Sequence, residues 1–183
     1  MCNFVFNLIF KIEIYGLENI TDKNGVILCV NHSSNFDPFL LRVKISRKLN
    51  FIAKKELFKN KFIGFILSKF GALSVDRNKN DIKSYKKAID ILKNKKEILV
   101  VFVQGTRQKK FNENDAKNGA SFFALKSNAT ILPVFIKSKY VFFSKVEIKI
   151  GEKIIYHYDK KITHEKINNL TKEISSKIKK LSK

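Results

Sequence analysis

The sequence contains little cysteine, proline or glycine. Its 183 residues include 2 cysteines, 2 prolines and 7 glycines. Cys2 and Cys29 cannot build a disulfide framework and match no metal-binding spacing, so no metal is expected. The low proline and glycine content excludes collagen-like and low-complexity chains. Because no secretory signal is visible, we expect a reducing, intracellular compartment.

Long apolar runs are also missing. No run reaches the roughly 18 apolar residues that a membrane-spanning helix needs. Two short apolar stretches remain, at residues 2–10 and 62–70. The first is interrupted by Asn3 and Asn7 and lacks the basic start of a signal peptide. Each stretch either lies on a membrane surface or packs on the domain, and the membrane interpretation predicts that residues 4–10 and 62–70 dip into the lipid interface.

Acidic residues are scarce relative to basic ones. Lys plus Arg number 37 and Asp plus Glu number 16, which gives a formal net charge of +21. Such a surface suits an anionic membrane, a nucleic acid or an acidic protein. The abundance of Lys, Asn and Ile also fits AT-rich coding, so the charge alone does not identify a partner. Arginine is rare among the basic residues. An arginine retained where most cations are lysine indicates a site that needs a planar donor of two hydrogen bonds, such as a phosphate site. The four arginines are Arg42, Arg47, Arg77 and Arg107.

The hydrophobic pattern alternates strands with helices along one domain of residues 1–183. Strands are predicted at 11–15, 26–30, 51–54, 72–75, 98–103, 131–136 and 146–150, and helices at 37–47, 57–70, 81–96, 119–127 and 163–181. This order predicts an α/β fold with a mainly parallel sheet flanked by helices. Pro133 and the alternating segment 146–150 fit an edge strand, or for the proline a bulge. In such folds, ligands bind outside the carboxyl ends of the strands.

A histidine and an aspartate follow the predicted strand at 26–30. His32 and Asp37 are five residues apart in a loop, so the carboxylate can fold back onto one imidazole nitrogen. The other nitrogen then faces the cleft as a general base, and the carboxylate stabilises the imidazolium. Asp37 before Pro38 is also a good helix N-cap, and a lone histidine is often structural. The spacing alone leaves both interpretations open.

Two further polar segments follow predicted strands. After the strand at 98–103, Gly105 lets the backbone turn so that amides face a phosphate. Thr106 adds a hydroxyl there, and Arg107 adds a charge that binds with two hydrogen bonds. After the strand at 72–75, Arg77 either reaches an anion in the crevice or forms an ion pair with the preceding aspartate.

Four segments, in this order, resemble the blocks of the lysophosphatidic acid acyltransferase family, which belongs to the wider glycerolipid acyltransferases. The blocks are NHSSNFD at 31–37, GALSVDR at 71–77, FVQGTR at 102–107 and ILPV at 131–134. The resemblance runs from about Tyr15 to Val134 and implies a glycerol-3-phosphate acyltransferase-like domain, with the motifs within about 15–136. The helix predicted at 163–181, which is basic, lies beyond them. The segment 53–57, AKKEL, is similar to the part of the family where a lysine lies near the acceptor phosphate.

The resemblance implies transfer of a fatty acyl group from acyl-CoA or acyl carrier protein to the free hydroxyl of lysophosphatidic acid in phospholipid synthesis. His32 would take the hydroxyl proton and Asp37 would orient His32. No acyl-enzyme, metal or cofactor is implied beyond the acyl donor. The phosphate would be held by five residues, namely Arg107, Gly105, Thr106, Arg77 and Lys54.

The chain departs from the family pattern in its third block. Val103 replaces a proline and Gln104 replaces a glutamate. Glutamine keeps an acceptor oxygen but loses the charge. It can substitute if the glutamate anchors the loop, whereas binding should weaken if the charge orients an arginine. We expect Gln104 and Asn31 to shape the loops. A second difference is that little chain precedes the first strand, where many relatives carry a membrane-anchoring helical region.

The expected partners are a lysophospholipid acceptor, an acyl donor such as acidic acyl carrier protein, and an anionic membrane surface. Nucleic acid is not expected. The expected location is cytoplasmic, peripheral on the inner face of the cell membrane. One alternative keeps the chemistry but changes the acceptor to glycerol 3-phosphate or another lysolipid. The other is a non-enzymatic basic module that binds membranes or nucleic acid, for which His32 would be dispensable.

Overall fold

A computed structural model describes residues 10–20, 23–76, 81–141, 143–158 and 161–183. Within these ranges, seven strands form one sheet in the order β1-β7-β6-β2-β5-β3-β4. The strands are β1 (Lys11–Tyr15), β2 (Val26–Val30), β3 (Leu49–Lys54), β4 (Ala72–Val75), β5 (Ile98–Phe102), β6 (Thr130–Ser138) and β7 (Lys145–Ile150). The helices are α1 (Asp37–Lys44), α2 (Lys61–Lys69), α3 (Ile82–Lys93), α4 (Gly119–Ser127) and α5 (His164–Leu181).

The sheet is mainly parallel, which confirms the predicted fold class. Strands β2 to β6 all run in one direction, and the antiparallel pair among the described strands is β6 with β7. The central strands β2 and β5 are continuous apolar runs, VILCV and ILVVF, because both of their faces are covered. The loops that follow β2, β3, β4, β5 and β6 therefore meet at one edge of the sheet, called the carboxyl edge below.

The helices cover the two faces of the sheet. Side chains alternate along β2, so Ile27 and Cys29 pack with α3, α4 and α5, whereas Leu28 and Val30 pack with α1 on the other face. Each large apolar side chain buried in these layers contributes about 1.5–3 kcal/mol. Helix α2 differs from the others, since its only buried residue is Gly64.

The edge-strand prediction for residues 146–150 and Pro133 was wrong. Strand β7 lies between β1 and β6, because β1 pairs alongside it and takes the edge position. Pro133 lies in β6, an interior strand between β2 and β7. It directly precedes Val134, the first residue paired with β7, so its missing N–H lies outside that ladder. Its carbonyl accepts a hydrogen bond from the Gly151 N–H at 2.8 Å.

The predicted helix at 57–70 is divided in two. A 3-10 turn, Lys55–Phe58, is followed by α2, and the Asn60 side chain caps α2 by accepting from the Phe62 and Ile63 N–H groups. The continuous apolar pattern concealed this cap. The helices predicted at 37–47 and 81–96 end three residues earlier than expected, at Lys44 and Lys93.

Candidate active site

The segments singled out by the sequence converge at the carboxyl edge. The loop that carries His32 follows the central strand β2. On one side of it lies the loop at 103–108, which follows β5, and on the other lies the turn that follows β6. Neighbouring strands are about 4.8 Å apart, so these three segments are adjacent.

His32 and Asp37 form a direct pair. His32 Nδ1 lies 2.7 Å from Asp37 Oδ2, with 17% of the histidine side chain exposed and the aspartate fully buried. The same oxygen accepts hydrogen bonds from the Ser33 and Ser34 N–H groups, at 2.8 and 2.9 Å. The structure thus brings the two residues together in the arrangement that orients an imidazole.

The N-cap interpretation of Asp37 does not describe this geometry. The N-cap position of α1 is Phe36, and Asp37 is the first residue of the helix. Its carboxylate accepts from Ser33 and Ser34 in the preceding loop and contacts His32. A negative charge in the first helical turn is also favoured by the helix dipole.

The other contacts of the His32 ring leave one nitrogen available. The ring stacks on Phe102 of β5, with centroids 4.0 Å apart and planes inclined by 21°. Because Asp37 occupies Nδ1, the ring nitrogen left available is Nε2, which makes no hydrogen bond to any residue in the described ranges. The backbone carbonyl of His32 accepts from the Gln108 N–H at 2.8 Å, which ties this loop to the next.

Tyr140 is a site residue that the sequence reasoning missed. Its hydroxyl donates a hydrogen bond to Asp37 Oδ1, from a turn 103 residues further along the chain. Burial, together with the nearby Asp37 charge, raises the pKa of the Tyr140 hydroxyl well above its usual range, so the phenol stays protonated and donates. Ligand sites in parallel sheets lie after the carboxyl ends of the strands. Had this rule been applied to β6, as it was to β2 and β5, it would have indicated this turn.

Asn31 fixes the start of the histidine loop. Its buried side chain donates to the Ile136 carbonyl at 3.0 Å and accepts from the Ile136 N–H at 2.7 Å. Both polar atoms of the amide are therefore used on the backbone of β6. This pairing holds the end of β2 against its neighbour, which is consistent with the predicted loop-shaping role.

The loop after β5 turns sharply and presents a basic side chain. Gly105 has φ of +69°, a left-handed conformation that glycine adopts without steric cost, and its N–H closes a turn on the Phe102 carbonyl at 2.9 Å. Thr106 and Arg107 are both exposed. Within the described part of the chain, the Arg107 guanidinium has no ion pair or hydrogen bond, so it is available for an anion.

Gln104 is buried and begins a chain of side-chain hydrogen bonds. Its Nε2 donates to Gln108 Oε1, and Gln108 Nε2 donates to Asp115 Oδ2 at 2.9 Å. The Asp115 carboxylate only accepts, so Gln108 must turn its amide nitrogen towards Asp115 and its oxygen towards position 104. Position 104 must therefore supply a donor, which glutamine does and the family's glutamate does not.

We expect Gln104→Glu to lower the free energy of unfolding by about 1–3 kcal/mol, because a buried acceptor would then face the acceptor Gln108 Oε1. Gln104 Oε1 already has no hydrogen-bond partner in the described ranges, so the carboxylate would have two unsatisfied oxygens. Adding Asp115→Asn should recover part of the loss, since the chain of hydrogen bonds can then reverse its direction. Urea unfolding of the two single variants and the double variant measures this coupling. A Gln104→Glu variant as stable as the parent protein would contradict the assignment.

The remaining predicted phosphate ligands lie at the rim or cannot be placed. Lys54 ends β3, which is two strands from β2, so its backbone is roughly 10 Å from the histidine strand. Arg77 lies outside the described residues. The Asp76 carboxylate forms an ion pair with Lys55, whose Nζ lies 3.6 Å from Oδ2.

The described ranges contain no cluster of three or more His, Cys, Asp or Glu side chains that could share a metal ion. The polar groups at the carboxyl edge are instead an imidazole oriented by a carboxylate and a guanidinium on a tight turn. These groups on a parallel α/β sheet define a class of proteins with two chemical abilities. The imidazole can take a proton from a hydroxyl group, and the guanidinium can bind an anion beside it.

Comparison with known proteins identifies the family within this class. Residues 11–137 match the family model described as Acyltransferase, so the chain belongs to the acyltransferase family. It is 35% identical over 123 residues to a 1-acyl-sn-glycerol-3-phosphate acyltransferase of Bacillus subtilis, covering 67% of this chain and 60% of that protein. It is 28% identical over 166 residues to the protein of the same name from Borreliella burgdorferi, covering 89% of this chain and 66% of that protein.

The fold also matches a solved structure. The crystal structure of the 1-acyl-sn-glycerophosphate acyltransferase from Thermotoga maritima superposes with a TM-score of 0.67 at 24% identity, covering 93% of this chain and 72% of that one. This likeness shows a shared fold. The chain spans about 60–66% of the length of the first curated relatives that it matches.

Proposed function

We propose that this protein transfers a fatty acyl group from an acyl thioester to the free hydroxyl of lysophosphatidic acid, in phospholipid synthesis. The observation that carries the proposal is the 2.7 Å contact of His32 Nδ1 with the buried Asp37, at the edge that also presents Arg107. The relatives named above bear the name of this activity, and the four motif blocks all lie within the matched region, residues 11–137.

The chemistry follows from the groups present. His32 Nε2 takes the proton of the acceptor hydroxyl as its oxygen attacks the thioester carbonyl. Asp37 stabilises the imidazolium that forms. The tetrahedral intermediate then expels the thiolate, the C–S bond breaks, and the imidazolium returns the proton to sulfur. An ester replaces the thioester and no acyl-enzyme is formed. In this mechanism the acyl donor is acyl-CoA or acyl carrier protein, both anionic and both suited to a chain of net charge +21.

The acceptor is tested by radiolabelled acyl transfer from acyl-CoA and from acyl carrier protein, with three acceptors. We expect transfer to lysophosphatidic acid to be faster than to glycerol 3-phosphate, and transfer to a monoacylglycerol, which lacks the phosphate, to be slowest. A preference for glycerol 3-phosphate would assign the other acceptor. Absence of transfer to all three would favour the non-enzymatic binding module.

We further propose that the protein binds the inner face of the cell membrane peripherally through α2. No helix in the described ranges is long and apolar enough to cross a bilayer. Helix α2 exposes Phe62 by 73% and Phe65 by 62%, with Lys61 and Lys69 on the same helix. Aromatic side chains beside lysines suit an anionic lipid interface. Phe10, which the sequence placed in the other lipid-facing patch, is instead buried; residues 4–9 lie outside the described ranges.

The double substitution Phe62→Ser and Phe65→Ser should weaken binding to vesicles that contain anionic lipid by on the order of 100-fold, since each aromatic ring loses its transfer from water. Cosedimentation with the vesicles, with and without high salt, measures this. Ile155→Ser is the matched control, because Ile155 is 81% exposed but lies next to Ile154, which pairs with Ile131 near the amino end of β6. Equal binding by the double variant and the control would contradict the proposal. Extraction from membranes only by detergent, with no release by carbonate or high salt, would also contradict it.

A further inference from the structure

Tyr140 adopts a backbone conformation that is unfavourable for its residue type. Its φ is +52°, in the left-handed region that side chains with a Cβ seldom occupy. Such conformations persist where the surrounding structure fixes them, and they concentrate at functional sites. Here the Tyr140 N–H donates to Ser138 Oγ at 2.9 Å, which holds the turn immediately after β6.

The side chain of Tyr140 is partly buried and lies beside two aromatic rings. Its ring lies 6.3 Å from the ring of Phe10 and 6.4 Å from that of Phe36, centroid to centroid. The ring of Phe36, the residue before Asp37, is inclined to that of Tyr140 by only 25°. Aromatic contacts of this kind restrict the ring, so its O–H donates to one acceptor, while the hydroxyl oxygen accepts from Ser33 Oγ at 3.5 Å.

That acceptor is the one oxygen of Asp37 that the histidine loop does not use. Oδ2 accepts from His32 Nδ1, Ser33 N–H and Ser34 N–H, whereas Oδ1 accepts from the Tyr140 hydroxyl. Asp37 is fully buried, so water cannot readily replace a lost donor. Without the hydroxyl, Oδ1 would be a buried acceptor with no partner, and the carboxylate would gain freedom to rotate away from the imidazole.

We propose that Tyr140 is a positioning residue that holds the Asp37 carboxylate against His32, so that the working unit is a chain of Tyr140, Asp37 and His32. Its catalytic consequence rests on the function proposed above. The competing explanation is that the Tyr140 hydroxyl only helps to close the core. In that case its removal would lower stability and leave the imidazole unchanged.

The chain offers matched controls for this distinction. The Tyr156 hydroxyl donates to the Ala124 and Ala129 carbonyls at 3.1 and 2.7 Å, away from the site, so Tyr156→Phe removes a comparable partly buried hydroxyl. The chain has three histidines, and two of them, His157 and His164, are exposed elsewhere. They serve as internal references for a titration of the imidazoles.

The experiment is an NMR titration of the histidine imidazoles in the parent protein, Tyr140→Phe and Tyr156→Phe, together with acyl-transfer kinetics and melting curves. A carboxylate that loses a donor attracts a proton on the imidazole more strongly, so we expect the His32 midpoint to move to higher pH in Tyr140→Phe. Among the described residues, the charged group in contact with the His32 ring is Asp37 at the start of α1; Phe102 on β5 is neutral, and Tyr140 acts through Asp37. His157 and His164 should not move.

In Tyr140→Phe, kcat should fall by about tenfold, with KM little changed. This fall corresponds to a rise of roughly 1.4 kcal/mol in the activation free energy. Tyr156→Phe should lower the melting temperature without changing the His32 midpoint or kcat. If Tyr140→Phe fails to fold, 3-fluorotyrosine in place of Tyr140 tests the same contact. A more acidic phenol is a stronger donor, so the His32 midpoint should then move to lower pH.

The two proposals fail in different ways. An unchanged His32 midpoint and kcat in Tyr140→Phe, or an unchanged midpoint with 3-fluorotyrosine, would overturn the role of Tyr140 even if the parent protein is active. A shifted midpoint in a parent protein that transfers no acyl group to any acceptor would support the positioning role and overturn the proposed function. Equal midpoint shifts in Tyr140→Phe and Tyr156→Phe would also overturn the positioning role.

Discussion

Substituting His32 by alanine should reduce acyl transfer by about 10²–10⁴-fold, which is the range expected for loss of a positioned general base. The fold should remain intact, because the histidine side chain is partly exposed and its backbone carbonyl, which accepts from Gln108, is kept. Initial rates of radiolabelled transfer and a melting curve measure the two effects. His164→Ala is the matched control, since His164 is exposed at the start of α5. Turnover near that of the parent protein in His32→Ala would exclude the general-base role.

Asp37→Asn separates the electrostatic role of Asp37 from its structural one. Asparagine can still accept from the Ser33 and Ser34 N–H groups through its amide oxygen, and its nitrogen can donate to the Tyr140 oxygen. It cannot stabilise an imidazolium by charge. We therefore expect a large loss of activity with little loss of melting temperature. Parallel losses of activity and stability would instead indicate that Asp37 serves mainly to hold the loop.

Much of the fold could be predicted from local pattern. The runs VILCV and ILVVF are apolar at every position, which is typical of strands buried on both faces and therefore of a parallel sheet. That prediction also placed His32 and Arg107 at one edge, because both follow such strands. The His32–Asp37 contact was foreseeable for a related reason, since only five residues separate the partners and a loop of that length can close.

The features that the sequence did not reveal depend on contacts between distant segments. Alternation along residues 146–150 shows that one face is buried, but it does not identify the neighbouring strands, so the pairing of β1 with β7 was missed. Tyr140 lies 103 residues from Asp37. The hydrogen bond from Gln104 to Gln108 could not be predicted, because its direction is set by Asp115, which accepts from the other end of Gln108. No local sequence pattern encodes this chain of three side chains.

Arg107→Ala should raise the KM for a phosphorylated acceptor by on the order of 10–100-fold and change the KM for the acyl donor far less. Hydrogen bonds to a charged group contribute roughly 1.5–3 kcal/mol, which corresponds to that range. Arg107→Lys should restore only part of the affinity, because an ammonium group cannot make the paired contact of a guanidinium. Lys93→Ala is the control for loss of one positive charge, since Lys93 is exposed at the end of α3.

The comparison of two acceptors decides whether Arg107 binds phosphate or only shapes its loop. A shaping role would affect lysophosphatidic acid and a monoacylglycerol alike and would lower the melting temperature. The structure favours binding, because the guanidinium is exposed and has no ion pair within the described ranges, while Gly105 and the Gln104–Gln108 contact already fix the turn. We therefore expect the monoacylglycerol to be a poor substrate of the parent protein and to be nearly indifferent to Arg107→Ala. Saturation kinetics on both acceptors, with a melting curve for each variant, measure this, and equal losses for the two acceptors would overturn the phosphate assignment.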